Sequence, residues 1–233
     1  MAFLTLDLKG IVAALALGFL MLFFGHLNVL FVAFMLYFLL LSALVTNAGM
    51  GRKHALGVYE KSRSVANVLS NGVGPLIFSF VFFAAMLGGA SNIGIAALAG
   101  FGASVASVTS DKFSSELGVL DGQPKDILTL KSVKKGASGG ITHFGLASGL
   151  FAALLISVPF AFVVFKNGIL LPGGPAFALY ALVTITIGGF IGTIVDSVLG
   201  HFEEKGIGNK FTSNFICSIC GGLVGMLFLA LVL

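Results

Sequence analysis

The chain has 233 residues, of which 58% are hydrophobic and only 9% charged, with 32 glycines besides. Soluble domains carry about 25% charged residues, so this chain cannot cover a soluble surface and reads as an integral membrane protein. That excludes a soluble enzyme, a disordered regulator and, with only 2 cysteines, a disulfide-stapled secreted domain. Long unbroken apolar runs also argue against a transmembrane β-barrel, whose strands alternate.

The expected fold is all-α: a single polytopic helical domain over 1–233 with about seven transmembrane helices, six being possible because the first and third are short. In chain order the spans run over Gly10–Phe24, Asn28–Val45, Val73–Leu87, Ile93–Thr109, Ile141–Phe165, Ala176–Val195 and Thr212–Leu233. Lys9 followed by an apolar run resembles the start of a signal peptide. The apolar character resumes at Asn28, however, so the expectation is a retained helix hairpin turning over residues 25–28.

Polar connections fall at about 46–72, 110–140 and 196–211. They carry Arg52, Lys53, Lys61, Arg63, Lys112, Lys125, Lys131, Lys134, Lys135, Lys205 and Lys210. With seven spans these loops and Lys9 share one side, leaving Lys166 for the other. The positive-inside rule then places the N-terminus and the three loops in the cytosol of a protein integral to the cell membrane. The net charge of +4 follows from the same rule and calls for no nucleic acid.

Acidic residues at the rim of a span are functional candidates. Asp111 ends the fourth span and Asp196 the sixth. If the helix continues past the membrane, Asp111 and Ser115 share a face and Glu116 sits to the side. Asp111, Glu116 and Asp196 are hard-oxygen ligands suited to Mg²⁺; the alternative is that Asp111 and Glu116 are solvated charges paired with nearby lysines. The segment 132–141 places Lys134, Lys135, Gly136, Ser138, Gly139 and Gly140 before the fifth span. Glycine amides and a helix N-terminus make this a candidate phosphate cradle, though it lacks Walker A spacing and glycine turns before membrane helices are common. Arg63, Asn67 and Asn71 recur every four residues, so one helical face carries a guanidinium and two amides, a phosphate-binding combination. An ordinary amphipathic helix start is the alternative. Asn214, near the start of the last span, either lines the same pocket or is simply polar. Cys217 and Cys220 form a CxxC inside a span, where buried small residues are expected. His26, His54 and His201 show no zinc-ligand spacing.

Four segments, Arg63–Gly72, Ser110–Gly118, Val133–Gly140 and Gly192–Gly200, resemble in the same order the signature segments of one integral-membrane family, and Asn214-Phe215 its segment opening the last helix. That family includes the transmembrane protein 19 group and the plant plastid phytyl-phosphate kinase of vitamin E synthesis. The resemblance covers about residues 45–233. It departs at Asp111-Lys112 and at Ser114-Ser115, where the family often has Asp-Thr and Ala-Ser.

The resemblance implies phosphoryl transfer from a nucleoside triphosphate, CTP by expectation, to a bilayer-held isoprenyl monophosphate of phytyl or geranylgeranyl type. The implied catalytic residues are Asp111, Glu116, Asp196 and Lys134, with the three carboxylates on Mg²⁺. Arg63, Lys134, Lys135, Ser115 and the 136–140 amides would hold phosphates; Asn67, Asn71 and Asn214 would orient nucleotide or acceptor. Two other readings stand beside this one: a lipid cytidylyltransferase making a CDP-lipid, and a small membrane transporter with no enzymatic activity. Oligomeric state is not legible.

Overall fold

The computed structural model describes residues 7–59, 64–167 and 174–233. Asp7 opens the first helix, α1 (Leu8–Phe24), by accepting the Gly10 amide on its carboxylate at 2.6 Å. The chain reverses through His26 and Leu27, both at positive φ, and Asn28 accepts the Leu30 amide to start α2 (Leu30–Asn47). This is the hairpin expected at residues 25–28. A short α3 (Met50–Ala55) follows, then α4 (Val65–Leu87) and α5 (Ser91–Gly118).

Two-residue strands β1 (Lys125–Asp126) and β2 (Gly140–Ile141) pair antiparallel and gather the next connection into a folded loop. Then come α6 (His143–Asn167), α7 (Gly174–Glu203) and α8 (Lys210–Ala230). A reciprocal capping box between Asn209 and Thr212 sets the start of α8.

Among the described residues, 6 helices are long and apolar enough to cross a membrane, and α1, at 17 residues, is a shorter apolar helix. The all-α membrane architecture is therefore as expected. The boundaries differ where the polar residues lie. α4 begins at Val65 rather than Val73, α5 runs to Gly118 rather than Thr109, and α7 to Glu203 rather than Val195. Hydropathy marks where lipid ends, whereas a helix continues until a residue breaks it. So Asn67, Asn71, Asp111, Glu116 and Asp196 stand on rigid helical turns, not in loops.

The centre of the bundle is α5, which is buried along nearly all of its apolar length. Lipid tails are as apolar as leucine, so membrane helices associate through close packing and polar contacts, not hydrophobic expulsion. α5 is rich in Gly, Ala and Ser, which lets neighbours approach it from all sides. The tightest layer joins α5, α7 and α8. A Cβ added to Gly192 would strike Ser107 Oγ and lie 2.8 Å from the Cys217 carbonyl oxygen. The Ser107 hydroxyl donates to that same carbonyl at 3.0 Å. Such a bond is worth about 0.6 kcal/mol in comparable bundles, so close packing contributes more to this layer than the hydrogen bond does.

Gly192→Val is expected to destabilise the bundle by at least about 1–3 kcal/mol, seen as an earlier thermal transition in detergent. Gly51→Ala, where the added Cβ meets nothing within 4 Å, is the matched control and leaves the transition in place.

Candidate active site

One helical turn beyond the Gly192–Ser107–Cys217 layer, the same three helices deliver Asp196 from α7, Asp111 from α5, and Ser213 and Asn214 from α8. The two aspartates share one ammonium. Lys210, the first residue of α8, reaches over them: its Nζ lies 2.7 Å from Asp196 Oδ2 and 3.9 Å from Asp111 Oδ2. The aspartate side chains are 7% and 12% exposed, that of Lys210 50%. Asp196 Oδ1 and Asn214 Oδ1 are buried without a hydrogen-bond partner among the described residues. Two carboxyl groups here face a single ammonium, and buried carboxylates of this kind demand a counter-charge.

These oxygens suit a magnesium ion that keeps its other positions for water and phosphate, since Mg²⁺ is commonly held by one or two carboxylates. Among the described residues no three His, Cys, Asp or Glu side chains gather as a metal-binding group. The expected trio of Asp111, Glu116 and Asp196 is a pair in this structure.

Glu116 is engaged elsewhere. Its Oε2 lies 2.6 Å from Lys53 Nζ, and its Oε1 2.5 Å from Lys112 Nζ and 3.1 Å from the Thr46 hydroxyl. The alternative that the sequence left open, pairing with nearby lysines, describes Glu116. The physical reason is rotation: five residues past Asp111, Glu116 turns about 140° around the helix axis at 3.6 residues per turn. Lys53 is fully buried and also donates to the Val45 and Thr46 carbonyls that end α2, at 2.8 and 3.1 Å. Burial pushes its ammonium below the usual lysine range, with Glu116 opposing. Ser115 is exposed and donates to the Lys112 carbonyl.

The loop between α5 and α6 is a built structure. Asp126 Oδ1 accepts the Leu128 and Thr129 amides and the Thr129 hydroxyl, while Oδ2 meets His201 Nδ1 of α7 at 2.7 Å. Burial works against the Asp126 charge, but these hydrogen bonds and the His201 ring overcome it and hold the carboxyl at about 2. Gly139, at φ +76°, lies flat against α7: a Cβ there would sit 2.6 Å from the His201 amide nitrogen, and one on Gly200 would strike Gly139 itself.

Between this loop and α7 opens a polar pocket of about 650 Å³, whose lining includes Lys131, Lys134, Ser138, His201 and Glu204. The Ser138 amide donates to Glu204 Oε1 at 2.8 Å, so a carboxylate already sits on one amide of the expected cradle. Lys134 is exposed at this pocket. Lys135 instead donates to the Val119 and Asp121 carbonyls. Gly136, Gly139 and Gly140 pack against Val58, α7 and the Ala137 and Val133 side of the loop. Their freedom serves close backbone approach.

Asn67 and Asn71 are on the first two turns of α4, with the Asn71 amide donating to the Asn67 carbonyl at 2.6 Å. Both line one side of an otherwise apolar groove of about 460 Å³ between α1 and α2, beside Leu17, Gly18, Met21, Met35 and Phe38. Arg63 lies outside the described residues. Gly74 of α4 packs on Ser218 of α8. Asn71 and Asn214 stand one turn before these two residues, so the groove's amide end and the carboxylate layer share a level of the bundle.

The family model of integral membrane protein DUF92 matches residues 2–225. The chain belongs to this family. An uncharacterized membrane protein of Methanocaldococcus jannaschii is 37% identical over 224 residues, covering 95% of this chain and 85% of that one. Protein PGR of Arabidopsis thaliana is 32% identical over 182 residues, covering 72% of this chain and 62% of that one. No solved structure matches. These matches bear out the resemblance carried by the four motifs.

Sequence reasoning missed Lys210, Lys53 and the Asp126–His201 contact. Lys210 had a signal, since it stands four residues before Asn214 on the same helical face. Lys53 and Asp126 had none, because their partners lie 63 and 75 residues away.

Glu116→Gln strands a buried ammonium and is expected to cost about 3–5 kcal/mol, with most of it recovered by adding Lys53→Met; chemical denaturation in detergent measures both. Asp126 holds a proton less tightly folded than unfolded, so its contribution is complete above the ordinary carboxylate value of 3.8 and is lost as pH falls towards about 2. Amide protection of the 119–142 loop, taken relative to the intrinsic exchange rate at each pH, should therefore hold down to about pH 4 and fall below it, whereas Asp126→Asn is poorly protected already at neutral pH.

Proposed function

We propose that this protein is a Mg²⁺-dependent membrane kinase. In this reading it moves the terminal phosphoryl group of a nucleoside triphosphate, CTP by preference, onto an isoprenyl monophosphate of geranylgeranyl or phytyl type. The observation that carries the reading is the Asp111–Asp196 pair, held by three helices at the polar end of the bundle with one Asp196 oxygen lacking a hydrogen-bond partner among the described residues. Paired carboxylates at a membrane rim suit metal-assisted phosphoryl transfer, in which positioning and charge neutralisation do most of the work.

The acceptor brings its own nucleophile, an anionic phosphate oxygen, so no strong general base is required. That oxygen bonds to the γ-phosphorus, the bond from the γ-phosphorus to the β–γ bridging oxygen breaks, and CDP leaves with that electron pair. A magnesium ion bound there would supply neutralising charge for the β- and γ-phosphates. Asp111 and Asp196 would hold it. Lys134 and Lys131, at the mouth of the polar pocket, would receive the triphosphate, and Asn214 would orient it. The apolar groove between α1 and α2 takes the isoprenyl chain from the bilayer, and Asn67 and Asn71 meet its phosphate. The clustering of basic residues in the polar connections supports a site facing the cytosol, where the nucleotide is.

The test is label transfer from γ-labelled CTP to geranylgeranyl monophosphate by the purified protein in detergent with Mg²⁺. Labelled prenyl diphosphate should form, vanish with EDTA, and fall about a hundredfold or more with Asp196→Asn. Gly18→Phe, which fills the groove where a Cβ meets nothing within 4 Å, should raise KM for long-chain acceptors and spare short ones. Label entering lipid only from α-labelled CTP would replace this reading by cytidylyl transfer.

A further inference from the structure

Lys53 and Lys210 each neutralise buried carboxylates, but by different means. The Lys53 ammonium is fully buried and held by two backbone carbonyls in addition to Glu116. It has nowhere to go. Lys210 is half-exposed, and its ammonium donates a hydrogen bond to Asp196. Its backbone is fixed by the Asn209–Thr212 capping box, while its four-carbon stem remains free to turn. It also stands at a helix N-terminus, where the helix dipole disfavours a positive charge. The interaction holding it inward is therefore the tertiary one with Asp196 and Asp111.

From this we infer that Lys210 is a displaceable counter-cation: its ammonium takes the cation position over Asp111 and Asp196, and a divalent cation must push it out to bind. This rests on the reading of those two aspartates as the metal-holding pair, and adds how access to them is controlled. An ammonium at 2.7 Å from Asp196 Oδ2 and a divalent ion on the same oxygen repel each other strongly in a water-poor layer. The second Asp196 oxygen, buried and without a hydrogen-bond partner among the described residues, adds affinity for the ion that a single ammonium does not use. Once displaced, Lys210 remains within a side chain's length of the carboxylate layer. The device keeps one cation on the pair when no metal ion is bound, and weakens metal binding when no nucleotide accompanies it.

The experiment uses the full chain in detergent and Mn²⁺ alone, with free Mn²⁺ followed by electron paramagnetic resonance. Lys210→Gln should bind Mn²⁺ about ten- to a hundredfold more tightly than the natural chain, Lys210→Arg should not, and Asp196→Asn should lose the site. Without metal, Lys210→Gln should melt earlier than the natural chain, and Mn²⁺ should raise its transition more. A second measurement needs no variant: amine acylation read by mass spectrometry should rise at Lys210, and not at Lys53, on saturation with Mn²⁺. Equal or weaker Mn²⁺ binding by Lys210→Gln, or unchanged acylation at saturation, overturns the displacement while leaving the metal-holding pair intact. Absence of Mn²⁺ binding in both folded proteins overturns the metal-holding pair and the displacement together.

Discussion

The close approach of α5, α7 and α8 is the constraint on which the rest depends. With no hydrophobic expulsion to drive helices together in lipid, contact must come from shape. Gly192 lies against Ser107 and Cys217 with no room for a Cβ. That contact sets the spacing of the next layer, and the next layer is where Asp111 and Asp196 meet. A bulkier residue at position 192 would separate the carboxylates as well as loosen the bundle, so packing and site are one feature. The same logic explains why α5 can be surrounded: side chains little larger than a methyl or hydroxyl leave room for neighbours on every face.

Charge is handled locally at the polar end. Glu116 is closed off by Lys53 and Lys112 and fastens the end of α2 and the short α3 to α5. Asp126 is closed off by Thr129 and His201 and fastens the α5–α6 loop to α7. The Asp111–Asp196 pair, by contrast, shares a single ammonium and keeps one oxygen without a hydrogen-bond partner among the described residues. That contrast separates a site from the charges around it better than the presence of acidic residues does. Glu116 and Asp126 have fixed, well-satisfied partners; the candidate site has a half-exposed one.

The apolar groove and the polar pocket are lined by different elements, and only the groove's Asn67 and Asn71 stand near the level of the carboxylates. The groove is bounded by α1, α2 and the first turns of α4, and the pocket by the α5–α6 loop and the last turns of α7. The two cavities thus separate an apolar surface from a polar one. Membership of an integral membrane family places the chain in the bilayer, where such a division between a lipid-facing and a water-facing approach has a physical use.

Much was legible from the sequence because it depends on composition and local order. Too few charges for a soluble surface and long apolar runs determined an all-helical membrane protein. The turn at residues 25–28, the apolar spans and the candidacy of Asp111, Asp196 and Asn214 follow from runs and rims that any window along the chain reveals. Tertiary structure alone decided how these residues group. Asp111 and Glu116 lie five apart, yet rotation about the helix axis sends one to Asp196 and the other to Lys53. The glycines of 136–140 look like an anion cradle in sequence, but which of them touches α7 is decided by the fold: Gly139 lies against His201 and Gly200. Lys210, read from sequence as a topogenic charge, is placed over the aspartates by the crossing of α8 with α7. Such pairings join residues from separate helices, and no local pattern records which faces of those helices will meet.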